Sequence, residues 1–86
     1  MNILEIHKKY KMIKKKYEDC IVLFRYKDNY VTFDIDAFNL SNLLAIETSK
    51  QSSIRLLTFP YQKLDEYLPK MIKQGLRVAV CDLLEK

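Results

Sequence analysis

Residues 20–37 read C-I-V-L-F-R-Y-K-D-N-Y-V-T-F-D-I-D-A, and their interpretation decides the fold. Cys20 to Phe24 is a continuous apolar run of strand length with β-branched members, the pattern of a strand covered on both faces. Arg25 and Tyr26 carry it into Lys27-Asp28-Asn29, a turn without glycine. Beyond the turn, Tyr30, Thr32 and Asp34 alternate with Val31, Phe33 and Ile35. Period two with one apolar face is a half-buried strand, so residues 20 to 35 are expected to form a hairpin. Asp36 then stands where its carboxylate would cap a helix from Ala37 to about Ala45, with Ala37, Leu40, Leu43 and Leu44 on one side.

Upstream, Ile3, Ile6, Tyr10, Ile13 and Tyr17 recur at three- and four-residue spacings, one apolar stripe on an amphipathic helix. Lys8, Lys9, Lys11, Lys14, Lys15 and Lys16 fill the rest of its surface. Glu18-Asp19 oppose the macrodipole of that helix and so belong to the connection. Downstream, Ile46 to Ser53 is polar, a short strand end followed by a loop. Ile54 to Phe59 is a third strand, ended by Pro60. Leu64, Tyr67, Leu68, Met71 and Ile72 form a second helical stripe, and Gly75 is its expected left-handed cap. Pro69 inside the stripe removes a donor and disfavours helical geometry at Leu68, so a kink or two short helices is expected. Leu76 to Cys81 reads as a last, well-covered strand. The succession α-β-β-α-(β)-β-α-β defines an α+β (mixed α/β) fold: one mixed sheet flanked by helices, in a single domain over residues 1–86.

Composition narrows the function. Eighty-six residues, 49% hydrophobic and 30% charged, fit one folded domain with a modest core. No apolar run approaches the roughly 20 residues needed to cross a bilayer, and the N-terminus lacks a signal-peptide pattern. A cytoplasmic chain without a membrane partner is expected. Cys20 and Cys81 read as small apolar side chains, buried or half-buried. One histidine and two cysteines fall short of the about four ligands of a structural zinc site. Gly75 is the only glycine, so no phosphate-binding loop can form. His7 lies on the lysine-rich helix, remote in sequence from Ser49, Ser52 and Ser53. No enzyme, metal or cofactor is expected.

The net charge of +4 is uneven. Residues 1–27 hold eight Lys/Arg against three Asp/Glu, a balance of +5, whereas residues 28–86 hold seven against eight, a balance of −1. Such asymmetry points to an anionic partner. Interleaved aromatics and bases can mark a nucleic-acid surface. Of the six tyrosines, Tyr10, Tyr17 and Tyr67 lie on the apolar stripes and are assigned to the core. Tyr26, Tyr30 and Tyr61 remain as contacts.

Two blocks then carry a resemblance. I-V-L-F-R-Y-K-D-N-Y-V-T-F-D-I-D-A, followed by P-Y-Q-K-L-D-E-Y-L-P-K-M-I-K-Q-G-L-R-V-A-V-C-D-L-L-E, resembles the N-terminal mismatch-recognition domain of the MutS family. The family's first block runs approximately L-F-x-x-G-D-F-Y-E-x-F-x-x-D-A. Its second runs G-x-P-Y-H-x-x-x-x-Y-L-x-K-L-x-x-x-G-x-x-V-A-I-C-E-Q. The resemblance covers residues 9 to 86 and implies a mixed sheet that reads mismatched duplex DNA from the minor groove. There a phenylalanine wedges beside the mispaired base and a glutamate two residues later bonds to it. Unstacking costs a few kcal/mol and is cheaper at a mispair, so deformability becomes selectivity.

On this chain Asp28 and Tyr30 match the family motif, whereas the wedge position holds Asn29, the glutamate position Val31 and the preceding glycine position Lys27. The resemblance therefore implies a double-stranded DNA partner held by backbone and minor-groove contacts. Arg25, Lys27, Lys50, Lys8, Lys11 and Lys15 are the phosphate candidates, with Asn29, Tyr30 and Val31 at the reading tip. An Asn cannot stack on a base, which implies weak mismatch preference. The family continues into connector, clamp and ATPase domains, so nucleotide-driven signalling is not expected of this chain alone. The alternative is a repurposed protein-interaction module whose partner protein supplies further domains.

Overall fold

Ile21 and Leu23 point to one side of the sheet, Val22 and Phe24 to the other, and all four are buried. Helices must therefore cover both faces. The computed structural model describes residues 2–82 and has this arrangement. The elements are α1 (Ile3–Lys16), β1 (Cys20–Tyr26), β2 (Asn29–Phe33), α2 (Asp34–Leu44), β3 (Ser49–Gln51), β4 (Ile54–Pro60), a 3-10 turn at Tyr61–Lys63, α3 (Leu64–Lys73) and β5 (Arg77–Asp82). The strand order is β3-β4-β2-β1-β5. β5 runs parallel to β1, and all other pairs are antiparallel. The fold is α+β on one mixed five-stranded sheet.

Two apolar clusters sandwich this sheet. Ile6 and Tyr10 of α1 pack on Val22, Phe24, Val31, Phe33 and Leu56. Ala37, Leu40 and Leu44 of α2 and Met71 of α3 pack on Ile21, Leu23, Tyr30, Leu57 and Phe59. Each fully buried large side chain contributes on the order of 2 kcal/mol, so both layers are needed to offset the entropy of a short chain. Asn2 caps α1, its Oδ1 accepting from the Glu5 backbone at 3.0 Å. Lys14, Lys15 and Lys16 in the last turn complement the helix dipole. Gly75 takes φ +80° as the expected cap of α3. The Gly75 and Leu76 N–H groups return to Ile72 and Met71 at 2.9 and 3.0 Å, closing the carbonyl end of the helix.

Several expectations need correction. α2 begins at Asp34, with Phe33 in the N-cap position, so Asp36 is not the cap. Instead it lies inside the first turn, 1% exposed, with its carboxylate turned towards α1 and β1. Tyr17, assigned to the core, is 51% exposed, because α1 ends at Lys16 and the chain leaves the sheet there. The short strand expected within Ile46–Ser53 is present as β3, joined to β4 by Ser52-Ser53 at φ 50° and 64°. Two successive left-handed residues make the type of tight turn that matches strand twist, and serine adopts it here without glycine. α3 runs unbroken through Pro69, and the interruption appears earlier, as the 3-10 turn. β5 is an edge strand among the described residues rather than a well-covered one, and Val80 is 46% exposed.

Candidate nucleic-acid interface

The β1–β2 turn is closed by Lys27 and Asp28 between the paired residues Tyr26 and Asn29. Lys27 sits at φ +56°, the region for which a two-residue hairpin turn prefers glycine. Its ammonium lies 5.2 Å from the centroid of the Tyr26 ring. The Asp28 carbonyl accepts the Tyr61 N–H at 2.9 Å, which ties the tip to the end of β4. Arg25 is held beside it, its guanidinium 4.1 Å above the Tyr61 ring and its Nε donating to the Lys27 carbonyl at 3.4 Å. The tip is thus a braced corner built by two separate stretches of chain.

Strand register divides the candidate residues between the two faces. Asn29 and Val31 stand two apart on the α1 side, in line with Tyr26 and Thr58. Arg25 and Tyr30 are paired on the opposite side. Tyr30 is only 7% exposed and packs 5.6 Å from Phe59, and Val31 is 4% exposed in the α1 cluster. Both therefore belong to the core, and of the tip triplet only Asn29 is exposed. Lys50 is exposed on β3, at the far edge of the sheet. Lys8, Lys11 and Lys15 are exposed on α1. Lys14 is not available, because its ammonium lies 2.8 Å from Asp36 Oδ1 and 2.6 Å from the Cys20 carbonyl.

Asp36 is the hub of a network that no motif revealed. Its Oδ2 also accepts from the Tyr10 hydroxyl at 3.0 Å and from the Val22 N–H at 3.1 Å. Burial and then the Asp36 charge push the Tyr10 phenol well above its ordinary range. Nearby, His7 Nε2 meets Asp34 Oδ2 at 2.8 Å, and the imidazole lies 5.1 Å from the Phe33 ring. These contacts lock α1 onto the sheet and fix where its outward lysines point. At the sheet edge, burial and then Asp82 push the Cys81 thiol up.

Cavities flank α1 on several sides. One of about 310 Å³ lies between α1 and the start of α2, lined by Lys11, Lys14, Lys15, Glu18 and Asp34 among others. One of about 250 Å³ lies between α1 and the β5 edge, beside Phe24, Cys81 and Asp82. Another, also about 250 Å³, opens beside the hairpin tip. Ile6, Val31 and Leu56 form its buried floor, and Asn29, Gln51 and Thr58 its exposed rim. Gln51 and Thr58 escaped sequence reading because only strand pairing brings β3 and β4 beside Asn29. Among the described residues no group of three His, Cys, Asp or Glu could hold a metal ion. No helix there is long and apolar enough to cross a membrane.

A family model described as MutS domain I matches residues 5–86. The chain belongs to the MutS domain I family. Similar proteins include the DNA mismatch repair protein MutS of Flavobacterium johnsoniae, 45% identical over 83 residues, which covers 91% of this chain and 10% of that protein. MutS of Porphyromonas gingivalis is 42% identical over 83 residues, 91% of this chain and 9% of that protein. MutS of Fervidobacterium nodosum is 39% identical over 85 residues, 99% of this chain and 10% of that protein. The chain thus spans about a tenth of the length of these relatives. The β1–β2 hairpin lies within the matched residues, and its tip is exposed at Lys27 and Asn29.

Proposed function

We propose that this chain is a DNA-binding module that docks on duplex DNA through the outward lysines of α1 and the β1–β2 tip. The supporting observation is that Asn29 lies on the sheet face that α1 covers, beside an exposed Lys27, in a chain of the MutS domain I family. Lys8, Lys11, Lys15 and Lys27 would neutralise phosphates, and Asn29 would touch a base edge. Tyr30 and Val31 would act only by holding the tip in place. Arg25 would serve mainly as a brace, since its guanidinium is engaged with Tyr61. No catalytic role is proposed. Without an aromatic wedge at position 29, intrinsic preference for a base–base mismatch would be weak. A cytoplasmic setting and a partner protein supplying further domains fit this reading.

The test is fluorescence anisotropy on matched and mismatched duplexes across a salt series. Log affinity should fall linearly with log salt, with a slope set by the number of phosphates neutralised. Absence of binding at about 50 mM salt and micromolar protein sinks the proposal, because non-specific duplex binding alone gives dissociation constants of roughly 1–100 μM at physiological salt. The competing reading, a repurposed protein-interaction module, draws on exposed apolar side chains away from the tip: Ile35, Phe38 and Ile72 are 55%, 48% and 61% exposed.

A further inference from the structure

The cavity beside the tip differs in kind from the lysine-lined groove. Among the described residues no acidic or basic side chain lines it, so neither an anion nor a cation finds a counter-charge from them there. What it offers is an apolar floor, the half-buried Tyr26 ring as a wall, and a rim of two carboxamides and a hydroxyl. Each carboxamide presents a donor and an acceptor together, and the hydroxyl can do either. Asn29, Gln51 and Thr58 spend no side-chain hydrogen bond on another described residue. A matching ligand is flat, uncharged and apolar on its faces, with donors and acceptors around its edge. A nucleobase has that description, and paired amides are the side chains that read base edges. At about 250 Å³ the space lies below the roughly 300 Å³ at which drug-sized pockets begin, so it suits one ring system and not a stacked pair.

We propose that this cavity receives a single unpaired base swung out of a duplex, with its face against Tyr26 and its edge read by Asn29, Gln51 and Thr58. The proposal rests on the DNA-binding reading above. Lys27, beside Tyr26 at the turn, would neutralise the phosphate flanking the displaced nucleotide. An unpaired nucleotide is the substrate of choice, because extruding it breaks no base pair and costs only stacking. Specificity would then come from capturing a base in the protein rather than from inserting a protein side chain into the stack.

The experiment measures anisotropy with the whole chain on three duplexes: fully paired, carrying one extra adenine nucleotide, and carrying an abasic residue at that extra position. The extra adenine should tighten binding by about tenfold over the paired duplex, the discrimination expected of a small set of well-made polar contacts. The abasic residue should return affinity to that of the paired duplex. Thr58→Leu, which fills the rim, and Gln51→Leu, which removes an amide, should each abolish the preference and leave paired-duplex affinity within about twofold. Both positions are exposed, and unchanged thermal unfolding verifies that the variants fold. Equal affinity for the extra adenine and the abasic residue overturns the cavity proposal alone, since bending would then explain the preference. Retention of the preference in both variants overturns it as well. No binding to any duplex overturns the DNA-binding reading and this proposal together.

Discussion

Asp36 Oδ2 accepts the backbone N–H of Val22 at 3.1 Å, so a helix side chain completes the hydrogen bonding of a strand. The β1–β2 pairing runs from Tyr26 opposite Asn29 to Phe24 opposite Val31 and does not extend to Val22. A buried N–H left without an acceptor is costly, and Asp36 supplies one. Its charge is balanced by the Lys14 ammonium at 2.8 Å. One carboxylate thus joins α1, β1 and α2.

Asp36→Ala should therefore destabilise the chain by about 2–4 kcal/mol, since it takes the acceptor from a buried N–H and the counter-charge from a half-buried ammonium together. Asp36→Asn, which keeps an acceptor but not the charge, should cost less. Urea unfolding of the two variants measures both, and a cost below about 1 kcal/mol for Ala would show that the network is not structural.

Tyr10 makes stability depend on alkaline pH. Its phenol is pushed up in the folded chain, by burial first and by Asp36 second. The folded state therefore holds this proton more tightly than the unfolded state, whose phenol titrates near about 10. The contribution is fully present below that pH and is lost above it, by up to about 1.4 kcal/mol per pH unit. Tyr10→Phe should be less stable than the parent at neutral pH by about 1 kcal/mol, and the gap should narrow above about pH 10. Urea titrations at a series of pH values measure the gap.

Lys27 and Ser53 occupy left-handed backbone at φ 56° and 64°. Side chains there cost roughly 1–2 kcal/mol, against about 0.4–1 kcal/mol for the extra freedom glycine brings to the unfolded chain. Lys27→Gly and Ser53→Gly should each raise stability by roughly 0.5–1 kcal/mol, read as a higher thermal midpoint. Lys27→Ala keeps the strain and should not. Lys27→Gly also removes a candidate phosphate contact, so the same variant should bind DNA more weakly while being more stable.

The lysines of α1 should account for the salt dependence of DNA binding. Lys11→Gln and Lys15→Gln together should lower the slope of log affinity against log salt by about 2, near 0.9 for each phosphate released. Lys50→Gln, at the far edge of the sheet, should leave the slope unchanged. An equal loss from all three would mean that the duplex lies across β3 rather than along α1.

Much of the fold is legible locally. Isoleucine, valine, leucine and phenylalanine in an unbroken run announce a strand covered on both faces, and Ile21 to Phe24 are buried on both. Gly75 after an apolar stripe announces a helix cap, because only glycine takes φ +80° without strain. Tyr30 and Val31 lie beyond that kind of reasoning. They flank an exposed tip in sequence, yet pairing with β1 and β4 places each against a helix and removes it from the surface.

The sequence by itself determined the order of elements, the excess of positive charge at the N-terminal end and, through two spaced motif blocks, the family. These depend on residue type and on neighbours within a few positions, where periodicity and backbone preference act. Only the tertiary structure decided which candidates share a face, that Asp36 bridges three elements instead of capping one, and that Gln51 and Thr58 stand beside Asn29. Strand register is a long-range property: a shift of one residue would reverse every face, and hydrogen bonding and core packing across distant strands choose between the registers.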